Sequence, residues 1–101
     1  MQERPFSSTF HESTGTLRVV GAVDEVARSA FSSDLAVAAG QVSDVLVVDL
    51  TDVDYFPSVA VSVLVDLMRN DAGAGKVELV AGQGTIAQRV LQLCGLPHRT
   101  A

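Results

Sequence analysis

Several short stretches of this 101-residue chain combine residue types that could do chemistry. GAGK at 73–76 offers the glycines and the lysine of a phosphate cradle. Such a loop needs Ser or Thr after the lysine, and it must run from a strand into a helix. Here Val77 follows and Lys76 opens a predicted strand, so the segment reads as a turn. GQGTIA at 82–87 fits the G-x-G-x-x-A pattern of a dinucleotide fingerprint between a strand and a helix. The acidic ribose ligand that completes the fingerprint belongs about 20 residues further on, at the end of a second strand. The sequence ends at Ala101 before one can be placed, so this stretch reads as a tight turn into a helix. His11, His98 and Cys94 share no spacing that suggests a metal site or a triad. The two histidines are expected to be exposed. Cys94 is expected on the apolar face of the last helix as a small core residue.

DYFPSVAVS, residues 54–62, is different. An acidic, aromatic run meets Pro57, then Ser58, then a string of small apolar residues. Pro57 biases Phe56 to an extended conformation. Ser58 then falls at the N-cap of a helix, where its hydroxyl accepts from a first-turn N–H, worth about 1 kcal/mol. A hydroxyl at that place is also exposed. A phosphate on it would add a charge of about −1.5 to −2 that the helix dipole tolerates. Asp52 and Asp54 make the lead-in acidic, so a phosphate would concentrate negative charge there.

The elements that position these residues follow from pattern. STFHESTGTLRVVGAV (8–23) reads as a β-hairpin with its turn at STG. DEVARSAFSSDLAVAAG (24–40) reads as a helix with Asp24 as N-cap and Gly40 as the stop. DVLVVDL (44–50) is a continuous apolar run, the pattern of a strand buried on both faces. A helix is expected from Ser58 to about Asp71, a strand over 76–82, and a helix over 85–95 that ends at Gly95. In the second helix, a 100° step centres an apolar face on Ala60, Leu64, Leu67 and Met68. Ser58, Ser62, Asp66 and Arg69 form the polar stripe opposite, with Val59 and Val65 at its borders. Strands separated by helices predict an α/β domain with a mostly parallel central sheet of about four strands and an N-terminal β-hairpin. The whole of 1–101 reads as one domain.

Bulk properties exclude further classes. Twelve acidic residues face seven Lys and Arg, for a net charge of −5 and no basic run. Nucleic acid is therefore not an expected partner. No apolar run approaches the ~20 residues of a membrane span, and the first residues lack an apolar signal core. A cytoplasmic location and no membrane partner are expected. A single cysteine allows no internal disulfide. No acid, base, nucleophile and metal set can be assembled, so no enzyme, cofactor or metal is expected.

Three pieces, in order and at fitting distances, resemble the STAS domain, the fold of bacterial anti-sigma factor antagonists that also forms the tail of sulphate transporters. GTLRVVGAVD is similar to the family's opening strand and its G-x-hydrophobic-D turn. VLVVDLTDVDYFPSVAVSVLVDL resembles the central strand, switch loop and helix. TIAQRVLQLCGL resembles the closing helix, with its R-x-hydrophobic-L and G-L. The antagonists' switch reads roughly D-L-S-x-V-x-F-hydrophobic-D-S-S/T-G, and its first D-S-S-G serine is phosphorylated. Asp49, Leu50, Thr51, Val53, Tyr55 and Phe56 match the lead-in, and Ser58 falls on the phosphorylated serine. Pro57, Val59 and Ala60 depart from the pattern. Many family members continue past the position of GLPHRT into a further strand and helix, so a shortened last layer is expected.

The resemblance implies a signalling module that binds an anti-sigma factor, a histidine-kinase-like serine kinase, and is regulated by phosphorylation of Ser58. A serine phosphatase would reverse the modification. Asp24 is implied at the kinase contact. With the helix geometry, the expected partner surface is Asp24, Asp54, Tyr55, Pro57, Ser58, Val59 and Ser62. Two alternatives stand beside this reading. One is a scaffold or constitutive protein-binding module whose switch loop has diverged. The other is a small-ligand binder or an enzyme using the GQGTIA turn, which calorimetry with nucleotides would reveal.

Overall fold

A computed structural model describes residues 4–69 and 76–101. The chain runs β1 (Ser7–His11), β2 (Thr16–Ala22), α1 (Arg28–Gln41), β3 (Val45–Tyr55), α2 (Ser58–Arg69), β4 (Lys76–Ala81), α3 (Ile86–Leu93) and β5 (Arg99–Thr100). One sheet holds the strands in the order β1-β2-β3-β4-β5. β1 pairs antiparallel with β2, and every later pairing is parallel. The hairpin and the α/β architecture match the sequence reading. A fifth strand of two residues follows α3, beyond the four expected. The expected end of the second helix at Asp71, and the GAGK turn up to Gly75, lie outside the described residues.

The strand order decides where the core must sit. Each parallel crossover steps to the next strand in one direction, and right-handed connections then put all three helices on one face. Burial agrees. Leu46, Val48 and Leu50 of β3 are fully buried, whereas Val45, Val47 and Asp49 are only half-buried. The expectation of a strand buried on both faces is therefore wrong. Val45 and Val47 lie on the open face, where β-branched side chains are covered by neighbouring strands rather than by a helix. On that face Arg18 pairs with Asp52, and Arg99 with Glu78.

Beneath the helices lies one core. Leu17 and Val19 of β2, the β3 residues above, and Leu79 and Ala81 of β4 meet Phe31 and Leu35 of α1, Leu64 of α2 and Leu91 of α3. With little aromatic content, few rings carry much of the packing. Phe31 is met edge-on by Phe6 at 6.1 Å and by Phe56 at 6.2 Å between centroids.

Helix ends depart from the sequence reading in instructive ways. α1 begins at Arg28, not Asp24, and its N-cap Ala27 makes no side-chain cap. Asp24 instead holds the turn before it, where its Oδ1 accepts from the Ala27 N–H at 3.0 Å. Helix geometry runs through Gly40 to Gln41. α3 keeps its expected end. Gly95 sits at φ +70°, the Leu96 N–H donates to Leu91 O at 2.9 Å and the Gly95 N–H to Gln92 O at 3.1 Å. That is a Schellman closure, which favours glycine. Cys94 is the C-cap of this helix and is exposed, so it is not the core residue expected of it. Thr85 is the N-cap of α3, its side chain accepting from the Gln88 N–H, and GQGTIA is the tight turn into a helix that the sequence predicts.

Candidate partner-docking site

The C-terminal ends of β2 and β3 and the first turn of α2 form one end of the domain. β3 is longer than the apolar run suggested because its ladder with β2 slips twice. Arg18 pairs with Asp49 but Val20 with Asp52, and Gly21 pairs with Val53 but Ala22 with Tyr55. Each slip inserts an extra residue on β3, and such bulges re-aim side chains. At the first, the Thr51 N–H and hydroxyl both donate to Asp49 Oδ1, at 3.0 and 2.7 Å. At the second, Asp54 is the inserted residue.

The chain then turns into α2 by a fixed route. Phe56 is 1% exposed and anchors the turn in the core. The Pro57 carbonyl accepts from the Ala60 and Val61 N–H groups at 2.9 and 3.2 Å, so the backbone of Pro57 begins the helical ladder. Ser58 is the first residue within the helix, not its N-cap. No side-chain hydrogen bond joins its hydroxyl to another group among the described residues, and it is exposed. Pro57 therefore holds the N-cap position, where its ring offers no side-chain acceptor, and Ser58 does not serve as the cap.

Around Ser58 the expected residues do gather. Tyr55 is exposed at 41%, and Pro57 and Val59 are half-buried. Ser62 is exposed, and its hydroxyl donates to Val59 O at 2.9 Å. Asp24 is brought alongside by the Val23 N–H, which donates to Tyr55 O at 2.9 Å. The α2 face that packs on the core is Ala60, Val61, Val63 and Leu64. It is rotated from the expected centre, and leaves Met68 partly exposed. The polar stripe of Ser58, Ser62, Asp66 and Arg69 is exposed as expected.

Electrostatics correct a further expectation. Asp52 and Asp54 lie in strand β3, and neither carboxylate of the acidic lead-in is free. Arg18 neutralises Asp52. Arg4 grips Asp54 with Nε on Oδ2 and Nη2 on Oδ1, both at 2.9 Å, and its backbone N–H adds a third bond at 3.1 Å. These hydrogen bonds from the Arg4 side chain and backbone hold the Asp54 carboxyl below the usual carboxylate range. The same pair raises the Arg4 guanidinium.

Two residues at this end were not legible in the sequence. Arg4 lies fifty positions from Asp54, and no local pattern links them. Val26, in the turn after Asp24, is 91% exposed. Its place in a presumed helix hid it. Elsewhere, His11 is exposed, while His98 is half-buried with Nδ1 2.9 Å from Leu96 O. No helix among the described residues is long and apolar enough to cross a membrane.

Comparison with known proteins fits this geometry. A crystal structure of an anti-sigma factor antagonist from Mycobacterium paratuberculosis superposes with a TM-score of 0.82 at 20% identity, over 94% of this chain and 86% of that one. The anti-sigma factor antagonist SpoIIAA in its unphosphorylated form superposes with a TM-score of 0.71 at 21% identity, over 96% and 88%. No curated protein sequence matches the chain. The family model for the STAS domain matches residues 6–99, and the chain belongs to the STAS domain family.

Proposed function

We propose that this STAS domain is a signalling module of the anti-sigma factor antagonist kind. It binds an anti-sigma factor that is also a serine kinase, through the surface formed by the β3–α2 junction and the Asp24 turn. The observation that carries this reading is the state of Ser58. Its hydroxyl is exposed, has no side-chain hydrogen-bond partner among the described residues, and stands between Tyr55, Pro57 and Val59. An apolar rim of one exposed ring and two half-buried side chains around a polar centre suits a contact that forms and releases.

In phosphorylation, the γ-phosphoryl group of ATP moves to Ser58 Oγ. The hydroxyl proton leaves to a base on the kinase, and ADP is released. The product dianion sits at the positive end of α2, so the fold tolerates it. The partner does not, because a surface fitted to a neutral serine then meets a charge it must desolvate. A serine phosphatase restores the docking state, and the domain itself is substrate and binder rather than catalyst.

A second reading keeps the binding and removes the switch. Ala60, where the family pattern has glycine, is fully buried against the sheet. Pro57 fixes the backbone just before the acceptor. A rebuilt junction of this kind also suits a constitutive binder or scaffold. Incubation with the partner kinase and ATP, followed by phosphopeptide mapping, separates the two. One phosphate on wild type and none on Ser58→Ala supports the switch, and no phosphate on either variant supports the constitutive module.

A further inference from the structure

Residues 4–6 form a strap that crosses the end of β2 and ties it to the end of β3. The Ala22 N–H donates to Arg4 O at 2.9 Å, on the edge of β2 that faces β1 rather than β3. Gly21 sits at φ +89°, and a Cβ there would run into the Pro5 carbonyl and lie 2.7 Å from Arg4 O. Only glycine lets the strap lie this close. Phe6 anchors one end against Phe31. Arg4 anchors the other. Besides its grip on Asp54, its Nη2 donates to Asp52 O at 2.7 Å. An isolated surface ion pair contributes little, but a forked guanidinium with added main-chain bonds is the geometry that holds.

The place matters more than the number of bonds. Asp54 is the residue pushed out by the bulge, two positions before Phe56. The strap also forms one wall of an open cleft of about 500 Å³, whose other wall includes Asp24, Val26 and Ala27. We infer that the strap is a charge-held latch on the docking site, in which Arg4 occupies the carboxylate that a cationic side chain of the partner would take. This rests on reading the Asp54 face as the docking surface. A partner guanidinium that reaches Asp54 displaces Arg4, frees the Ala22 N–H and opens the cleft beside Asp24. Docking and release of the strap are then one event. A partner lacking such a cation meets the closed form.

The purified domain tests this without any anti-sigma factor. In Arg4→Gln, the Ala22 amide should exchange severalfold faster than in wild type, while Val23, bonded to Tyr55 O, and the core amides of β3 stay as slow. The peptide acetyl-Gly-Arg-Gly-amide, titrated while the Asp54 carboxyl signal is followed by NMR, should act at severalfold lower concentration on Arg4→Gln than on wild type. Adding Asp54→Asn should abolish the peptide's effect on the Ala22 amide. Equal Ala22 exchange in the two proteins would overturn the latch. So would equal peptide concentrations, no response in either protein, or peptide binding that survives Asp54→Asn. A domain that binds no anti-sigma factor could still pass both tests, so failure of the functional reading and failure of the latch are told apart.

Discussion

Phe56 connects the core to the proposed docking site, and shortening it to leucine measures that connection. The ring is 1% exposed and meets Phe31 edge-on, with centroids 6.2 Å apart and planes at 81°. Phe56→Leu removes that pair, at about 0.5–1.5 kcal/mol. It also leaves a void equivalent to roughly one or two methylenes, at ~0.8 kcal/mol each. The expected loss is about 1.5–3 kcal/mol, out of roughly 5–15 kcal/mol for a domain of this size. Urea unfolding followed by far-UV circular dichroism should show the midpoint falling by about 1–2 M with an unchanged slope. Val26→Ser, at a position 91% exposed, is the control and should change stability by less than about 0.5 kcal/mol. A Phe56→Leu loss no larger than that of the control would refute the claim that this ring pins the start of α2. An altered slope would instead show that the compactness of one of the two states had changed.

Other expectations follow from the same contacts. Asp24→Ala leaves the Ala27 N–H without its side-chain acceptor and should cost about 0.5–1 kcal/mol in a thermal melt, near the lower range for a lost cap. Asp54 is held below the usual carboxylate range by Arg4, so whatever stability the pair contributes is present above about pH 4 and is lost as pH falls through the depressed value. A carboxyl NMR titration should therefore place the Asp54 midpoint lower in wild type than in Arg4→Gln, and coincident midpoints would contradict the grip. Ser58→Glu puts a negative charge at an exposed helix N-terminus and should change stability by less than about 0.5 kcal/mol. Its melt should overlay that of wild type, which makes any loss of binding a loss of docking.

Element order was legible because strand and helix periods alternate cleanly and turn residues mark the joins. The depth of burial was not. Val45 and Val47 looked like a second buried face because an open sheet face also favours β-branched residues. The length of β3 was hidden by its bulges, which carry Thr51 and Asp54 through a strand that reads locally as loop. Ser58 was placed correctly at the start of α2 yet misread as its cap, since the Pro57 carbonyl begins the ladder instead. Asp24 likewise keeps a capping bond, but for the turn that precedes α1. Cys94 follows helical spacing, yet as the C-cap it lies past Leu91, the last core residue of α3, and is exposed. The gathering of Asp24 with Tyr55 and Ser58 could be reached through family resemblance. Arg4 could not, because a contact across fifty residues leaves no trace in local pattern.

The central claim is that charge at Ser58 governs docking to an anti-sigma factor. Immobilised wild type and Ser58→Glu should be exposed to native lysate of the source cell, and the retained proteins identified by mass spectrometry. Wild type should retain a kinase-like anti-sigma factor, and Ser58→Glu, equally folded, should lose it. Retention of the same partner by both would contradict the switch and leave a constitutive binding module. Retention of no such factor by either would contradict the anti-sigma reading itself.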